Sequence, residues 1–325
     1  MNDRRRTNAP SGGTSAPVFA PALPNYSGPR PQRPVRSRAP NELRKIFLQT
    51  GMTPSASGSA YLELPPPANS PTSLAFRAAG LKLSCTVHGP HPLPRSAPFT
   101  PYLHLSASLK FAPFAAHARR GYVRDAAERD LGQHLEAALR GIVLGERWPK
   151  SGVDVVVTVL EAEEDAWLGS AVEASTGAAR AQGQGWAAMN VLAACVTAAS
   201  AAMADAGIDC VDLAAGGMAA LVHDDNNNNG VLVLDPSPAE HRALRAACAV
   251  AYLPGRDEIT ELWLKGDAGE HGDALVEKAV EAAVGAQAVL AEAVREAAAR
   301  KFPAEAAAGG KVGGAGAADV EMVAA

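Results

Sequence analysis

Only four cysteines occur in the 325 residues, Cys85, Cys195, Cys210 and Cys248, and no two of them form a CxxC pair. That scatter argues against a zinc site, and their apolar surroundings read as buried free thiols of a reducing compartment. Charge of one sign is also missing. The net charge is -4, so no whole-molecule basic field draws the chain onto nucleic acid, and any such contact must come from a local patch. Nor is there a run as long and apolar as a membrane span. The longest apolar stretch, near 187–206, is interrupted by Asn190, Thr197, Ser200 and Asp205. The charged start MNDRRRTNAPSGG leads into no apolar segment of the kind a secretory signal requires. The expectation is a soluble, intracellular protein with no membrane partner.

What is present is a chain that is 47% hydrophobic, enough for a sizeable core. Much of that share is alanine, which lets helices approach closely but adds little buried area per residue. Residues 1–38 are rich in Pro, Arg, Ser and Gly without apolar period and read as a disordered arm. Its cluster Arg4-Arg5-Arg6 reads as part of a solvated tail ahead of a nuclear-import or RNA-tethering patch. Residues 303–325 are an Ala/Gly-rich disordered tail. Residues 39–302 remain as one domain, with 161–183 (acidic, then small residues) as a loop insertion.

Alternation at period two predicts half-buried strands at 60–64, 81–87 and 103–109. Leu131, Leu135, Leu139 and Ile142 predict a helix over 123–143. The nearly continuous VDVVVTVL at 153–160 predicts a central strand, and 186–206 a helix stopped by Gly207. Strands follow at 211–222 (with a bulge at Gly216-Gly217), 231–234, 247–253 and 258–264. HDDNNNNG at 223–230 reads as a polar turn rather than a metal loop. A last helix spans 272–302. Strands first, then alternation of strand and helix, give a mixed α/β (α+β) domain.

Seven segments in order, NELRKIFLQTG (41–51), SGSAYLEL (57–64), LKLSCTVHGP (81–90), RDLGQHLEAAL (129–139), DAGIDCVDL (205–213), VLVLDPSPAE (231–240) and YLPGRDEITELWLKG (252–266), resemble successive segments of the RNase PH superfamily. No single segment is specific; their order and spacing carry the resemblance. GSAYLEL and LDPSPAE are most similar to the RNase-PH-like ring subunits of the eukaryotic RNA exosome. The resemblance implies a single RNase-PH-like domain acting as a non-catalytic structural subunit. Its implied partners are other RNase-PH-like subunits in a hetero-hexameric ring, cap proteins and RNA. Its implied location is the nucleus and nucleolus, and also the cytoplasm.

Phosphorolysis needs cations to hold an anionic nucleophile against an anionic ester, and acidic groups for a metal or the leaving oxygen. Active members carry Arg-Leu-Ile-Gly-Arg-Ser-Leu-Arg on a helix. Against it stands Arg129-Asp130-Leu131-Gly132-Gln133-His134-Leu135-Glu136, with Gln133 and Glu136 where guanidinium groups are needed. The family's Gly-Gly-Thr-Arg helix start aligns with Gln182-Gly183-Gln184-Gly185. Of its acidic set Asp235 remains, Ser237 replaces the second aspartate, and His241, Arg245 and Ala247 follow. The expectation is loss of activity, with no metal and no cofactor. Two alternatives are an active phosphorolytic 3'–5' exoribonuclease whose site is aligned differently, and an unrelated small-molecule-binding α/β protein.

The candidate RNA contacts are Arg119, Arg120, Arg124 and Arg129 at the start of the central helix, with Arg95 in a Pro-rich loop. A solvated helix start or contacts to a neighbouring subunit are the competing readings. His88 and His91 read as flanking a surface Gly-Pro turn. The strand at 103–111 and the loop FAPFAAH (111–117), with two phenylalanines expected outside, are candidates for contact with a ring neighbour.

Overall fold

A computed structural model describes residues 32–69, 78–116, 120–164, 185–224, 227–241 and 244–302. Four strands come first: β1 (Phe47–Thr50), β2 (Gly58–Leu64), β3 (Leu81–Pro92) and β4 (His104–Phe111). After α1 (Ala126–Arg140), β5 (Ser151–Glu161) completes a sheet ordered β1-β2-β3-β5-β4. Neighbours are antiparallel except β4 and β5, whose parallel pairing uses α1 as the crossover. The period-two pattern faces inward as expected: Leu81, Leu83, Cys85 and Val87 of β3 and Val153, Val155, Val157 and Val159 of β5 are all fully buried.

The second half gives α2 (Trp186–Ala206), then β6 (Ala215–Asp224), β7 (Asn227–Leu234), β8 (Leu244–Leu253) and β9 (Glu258–Gly266), and lastly α3 (Gly272–Lys301). The four strands form an antiparallel sheet ordered β7-β6-β8-β9. Helix α2 contacts strands of both sheets, and α3 lies against β6 and β8. An apolar helix covered on two sides is buried nearly all round, and α2 is buried from Met189 through Met203. Helix α3 buries one face, Leu275, Ala279, Ala282, Ala283, Ala286 and Leu290.

Helix α1 starts later than its apolar spacing suggests, because a capping box sets the boundary. The Asp125 carboxylate accepts from the Glu128 N–H (2.8 Å) and Glu128 accepts from the Asp125 N–H (3.1 Å). The buried Glu128 also accepts from the Phe111 N–H at 2.9 Å, tying the helix start to the end of β4. Helix α2 ends as expected on Gly207, at φ 72.

Several expectations need correcting. Gly216-Gly217 is no bulge. A Cβ on Gly216 would lie 2.0 Å from the Ala193 carbonyl oxygen of α2, and one on Gly217 would lie 2.2 Å from that of Ala279 in α3. The glycines let two helix backbones press on opposite faces of β6, and its register shifts fall further on, around Leu221–Asp224. The turn expected over 223–230 is narrower, since Asp224 already pairs with Asn227. His88 and His91 lie within β3, with a register shift between them. Of the loop insertion expected at 161–183, the first residues belong to the folded domain: Glu161 ends β5, and Ala162 and Glu163 are buried. Phe111 is buried and only Phe114 of that loop's two phenylalanines is exposed. Of the cysteines, Cys85, Cys195 and Cys248 are buried as expected and Cys210 is half-buried. The disordered arm expected at 1–38 is too long at its end, since Arg36 and Arg38 are bonded to Leu234, Asp235 and Glu240; residues 1–31, 165–183 and 303–325 lie outside the described residues.

Gly217→Ala should lower stability by about 3 kcal/mol, because the new Cβ would meet α3 backbone at Ala279 and Ala283, which cannot retreat as a flexible side chain could. Gly272→Ala, with nothing within 4 Å of its Cβ position, should leave stability unchanged or raise it by up to about 1 kcal/mol. Thermal unfolding of the two variants checks the pair.

Candidate functional site

The segment ahead of β1 runs past the end of β7, where the Leu234 N–H donates to the Pro40 carbonyl at 2.8 Å. This brings Arg44 onto Asp235, which has a left-handed backbone at φ 45. The Arg44 backbone N–H and Nε donate to Asp235 Oδ2 at 3.0 and 2.8 Å, and Nη2 donates to Oδ1 at 2.6 Å. Its Nη1 donates to Glu163 Oε1. Glu163 also accepts from Asn190 Nδ2 of α2 at 2.9 Å and from Ser237 Oγ at 3.1 Å. Around this core, Arg38 donates to Glu240 at 2.9 Å and to Asp235 at 3.4 Å. Arg36 donates to the carbonyls of Ala39, Glu42 and Leu234 at 2.9–3.0 Å.

Charge here is closed on itself. Burial by itself pushes the Asp235 carboxyl up, but the attraction and hydrogen bonds of Arg44, helped by Arg38, bring it down to about 2. The same carboxylates outweigh burial at Arg44 and raise its pKa further. Both Asp235 oxygens are engaged by arginine, which is a poor starting point for holding a metal ion or assisting a leaving oxygen.

His241, where the resemblance calls for an acidic group, is half-buried. Burial, and then Arg36, Arg38 and Arg33, lower its pKa to about 4, so it is neutral near pH 7. Ser237 is buried with its hydroxyl on Glu163. Ala247 is no site residue: it is fully buried in β8, in a cluster with Trp186, Met189 and Met218.

On α1, Arg129 and Gln133 are exposed, and Glu136 is bonded to Arg140 one turn on at 2.5 Å. The side chain that α1 sends toward the second sheet is His134. Its Nδ1 lies 2.7 Å from Glu261 Oε1, and its ring stacks on Trp263 with centroids 4.9 Å apart. Two residues along β9, the Lys265 ammonium sits 5.6 Å from the Trp186 ring centre at the start of α2. Gly185 is the N-cap of α2 at φ 72, without a side-chain cap; Gln184 lies outside the described residues. Strand β9 therefore meets α1 through Glu261 and Trp263, and the start of α2 through Lys265.

Of the candidate RNA contacts, Arg120, Arg124 and Arg129 come together at the start of α1, and Arg119 lies outside the described residues. Arg120 stacks on the Phe111 ring at 4.0 Å and lies 3.9 Å from Asp125. Arg95 is exposed but belongs elsewhere. Its loop is anchored near the other end of α1, where the Leu103 N–H donates to the Gly145 carbonyl and the Lys150 N–H to that of Thr100. Sequence reading missed Arg44, Glu163, Asn190, His134, Glu261 and Lys265 as site residues. The one available signal was a lone arginine in NELRK before a short strand.

Arg44→Met should cost about 3–5 kcal/mol, because it leaves the buried Glu163 without a cation and Asp235 with only the longer contact to Arg38; thermal unfolding checks this. Two pH windows follow. Asp235 titrates near 2 folded and near 3.8 unfolded, so its roughly 2 kcal/mol is fully present above pH 4 and lost as pH falls toward 2. His241 titrates near 4 folded and 6.5 unfolded, so the unfolded state binds the proton first and stability falls from pH 6.5 to pH 4. His241→Gln should flatten only that upper window in melts recorded against pH.

Residues 42–209 match the RNase PH family, described as the 3' exoribonuclease family, domain 1. The chain is 52% identical to Exosome complex component MTR3 of Chaetomium thermophilum, over 91% of this chain and 99% of the relative. It is 29% identical to Exosome complex component mtr3 of Schizosaccharomyces pombe, over 82% of this chain and 85% of that one. The crystal structure of rice Rrp46 is similar in fold, with a TM-score of 0.56 at 18% identity, covering 79% of this chain and 98% of that chain. With the family match spanning half of the chain and the Chaetomium relative nearly all of it, this chain belongs to the RNase PH family.

Proposed function

We propose that the protein is a non-catalytic structural subunit of the RNA exosome core ring, supporting 3'–5' RNA processing and degradation by scaffolding and by contacts along the RNA path. The observation that carries the non-catalytic part is the closure of Asp235 by Arg44. It is reinforced by Gln133, and by Glu136 bonded to Arg140, at positions where guanidinium groups should meet phosphate. A carboxylate there repels the nucleophile that phosphorolysis requires. The names of the fungal relatives support the exosome assignment. In this reading the protein works in the nucleus, nucleolus and cytoplasm.

The partners in this reading are other RNase-PH-like subunits in a hetero-hexameric ring, with cap proteins and RNA. Two of the sheet edges among the described residues support it. Strand β4 ends the first sheet and β9 ends the second, and α1 contacts both. Strand β9 carries the exposed Ile259, Leu262 and Leu264. An apolar edge strand is an aggregation hazard unless something covers it. Unlike contact faces are what a closed heterologous ring uses.

An active exoribonuclease would release nucleoside diphosphates from short RNA with phosphate and magnesium. The purified chain should release none above a no-protein control, and release by the chain alone would sink the reading. Leu262→Glu with Leu264→Glu should abolish co-purification with RNase-PH-like partners while shifting the melting temperature little. The unpartnered wild-type chain should self-associate in sedimentation runs.

A further inference from the structure

The last helix ends at a cleft. Thr50 at the end of β1, Asp205 near the end of α2, and Val294, Ala298, Lys301 and Phe302 of α3 and its C-cap enclose about 190 Å³. A cavity of roughly 150 Å³ holds a benzene-sized molecule. The cleft therefore has room for one or two aliphatic side chains, and none for a helix or a folded surface. Its polar fittings are unequal. Thr50 is 5% exposed, and its hydroxyl meets no partner among the described residues. A buried hydroxyl left unpaired is costly, so a hydrogen-bonding group is wanted there. Both Asp205 oxygens are engaged: Oδ2 accepts from the Ser59 N–H at 2.9 Å, and Oδ1 from Lys301 Nζ at 2.6 Å. Lys301 also donates to the Asp205 carbonyl at 3.1 Å. An ammonium has three N–H groups, so one remains for an acceptor, and the side chain is 50% exposed.

The chain itself carries a segment of matching chemistry. Phe302 lines the cleft, and residues 303–325 follow it directly. Of their larger aliphatic side chains, Val312, Val320, Met322 and Val323, three fall within Asp319-Val320-Glu321-Met322-Val323. In an extended segment Val320 and Met322 share one side, and Asp319 and Glu321 the other. A segment that put its aliphatic side chains into the cleft would thus hold a carboxylate at the rim, beside Lys301. Between this segment and Phe302, five of the eight residues 309–316 are glycine, a composition that tolerates reversal of the chain. A tether of this kind raises the local concentration of its end to about the millimolar range, so weak contacts suffice.

We propose that residues 319–323 dock in this cleft of their own chain. Val320 and Met322 lie against Val294, Ala298 and Phe302, a main-chain carbonyl accepts from the Thr50 hydroxyl, and Glu321 pairs with Lys301. Docking covers Phe302, which is otherwise 57% exposed, and ties the end of α3 to the ends of β1 and α2. The proposal is independent of the ring and of the RNA path.

The test pairs Ala298→Cys with Met322→Cys in the full chain, follows disulfide closure under oxidised glutathione, and maps the bridges by mass spectrometry. Ala298→Cys with Val312→Cys controls for tethering alone, since Val312 is nearer to Phe302 in sequence. The first pair should close about 10-fold faster than the control, within one chain. Adding Val320→Asp should bring it down to the control rate, and adding Thr50→Val should slow it about 5-fold. Glu321→Lys should slow it and remove its dependence on salt. Equal rates for the two pairs overturn the proposal, as does an undiminished rate with Val320→Asp. Bridges found only between two chains also overturn it, and would assign the cleft to a second copy. Should Ala298→Cys be shielded from oxidant only when co-purifying proteins are present, the cleft belongs to one of them and the proposal fails.

Discussion

A helix lying between two sheets must be narrow on both sides, and much of this protein follows from that constraint. Helix α2 meets β2 and β3 of one sheet and β6 and β8 of the other. Its sequence, WAAMNVLAACVTAASAAMADA, spends small residues where a one-sided helix would place leucines. Small residues bring backbones close, which strengthens dispersion contacts and leaves no room on the facing strand. Hence Gly216 sits against α2 and Gly217 against α3. The high alanine content noted from composition is thus a matter of layer spacing more than of helix propensity.

The close approach also governs where polar groups can be buried. Asn190 and Thr197 are inside α2 and both are used. Asn190 donates to Glu163 and to the Pro236 carbonyl, and the Thr197 hydroxyl accepts from the Gly216 N–H at 3.0 Å. Through Asn190 the helix joins the Arg44 network, where the approach to β1, the end of β5 and the end of β7 converge. Such a network stabilises little relative to an apolar alternative, but it is costly to break. It fixes how the two sheets meet at this corner.

What the sequence made legible was what repeats locally. Leu81-x-Leu83-x-Cys85-x-Val87 announced a buried strand face, and the α3 stripe from Leu275 to Leu290 announced its covered side; both hold. The bounds of α2 were readable because Gly207 closes it. What local periods cannot carry is a partner far along the chain. Arg44 meets Asp235 across 191 residues, Glu163 looked like part of an acidic loop, and Gly216-Gly217 looked like a strand defect. For the site that the resemblance implies, aligned motifs named Asp235, which the Arg44 network holds, and the half-buried His241, but put Ala247 among them, though it is core. They also passed over His134, since a neighbour on β9 decides which side of α1 faces inward.

The arrangement of α1 between two edge strands, β4 and β9, has a mechanical consequence. A neighbour that docked on one strand alone would keep a hinge, free to swing about that line of contact. β4 and β9 belong to different sheets held apart by the thickness of the helical layer. A neighbour that engaged both would be gripped along two separated lines, and torque about either would be resisted by the other. An assembly built from such joints would keep its shape by stiffness.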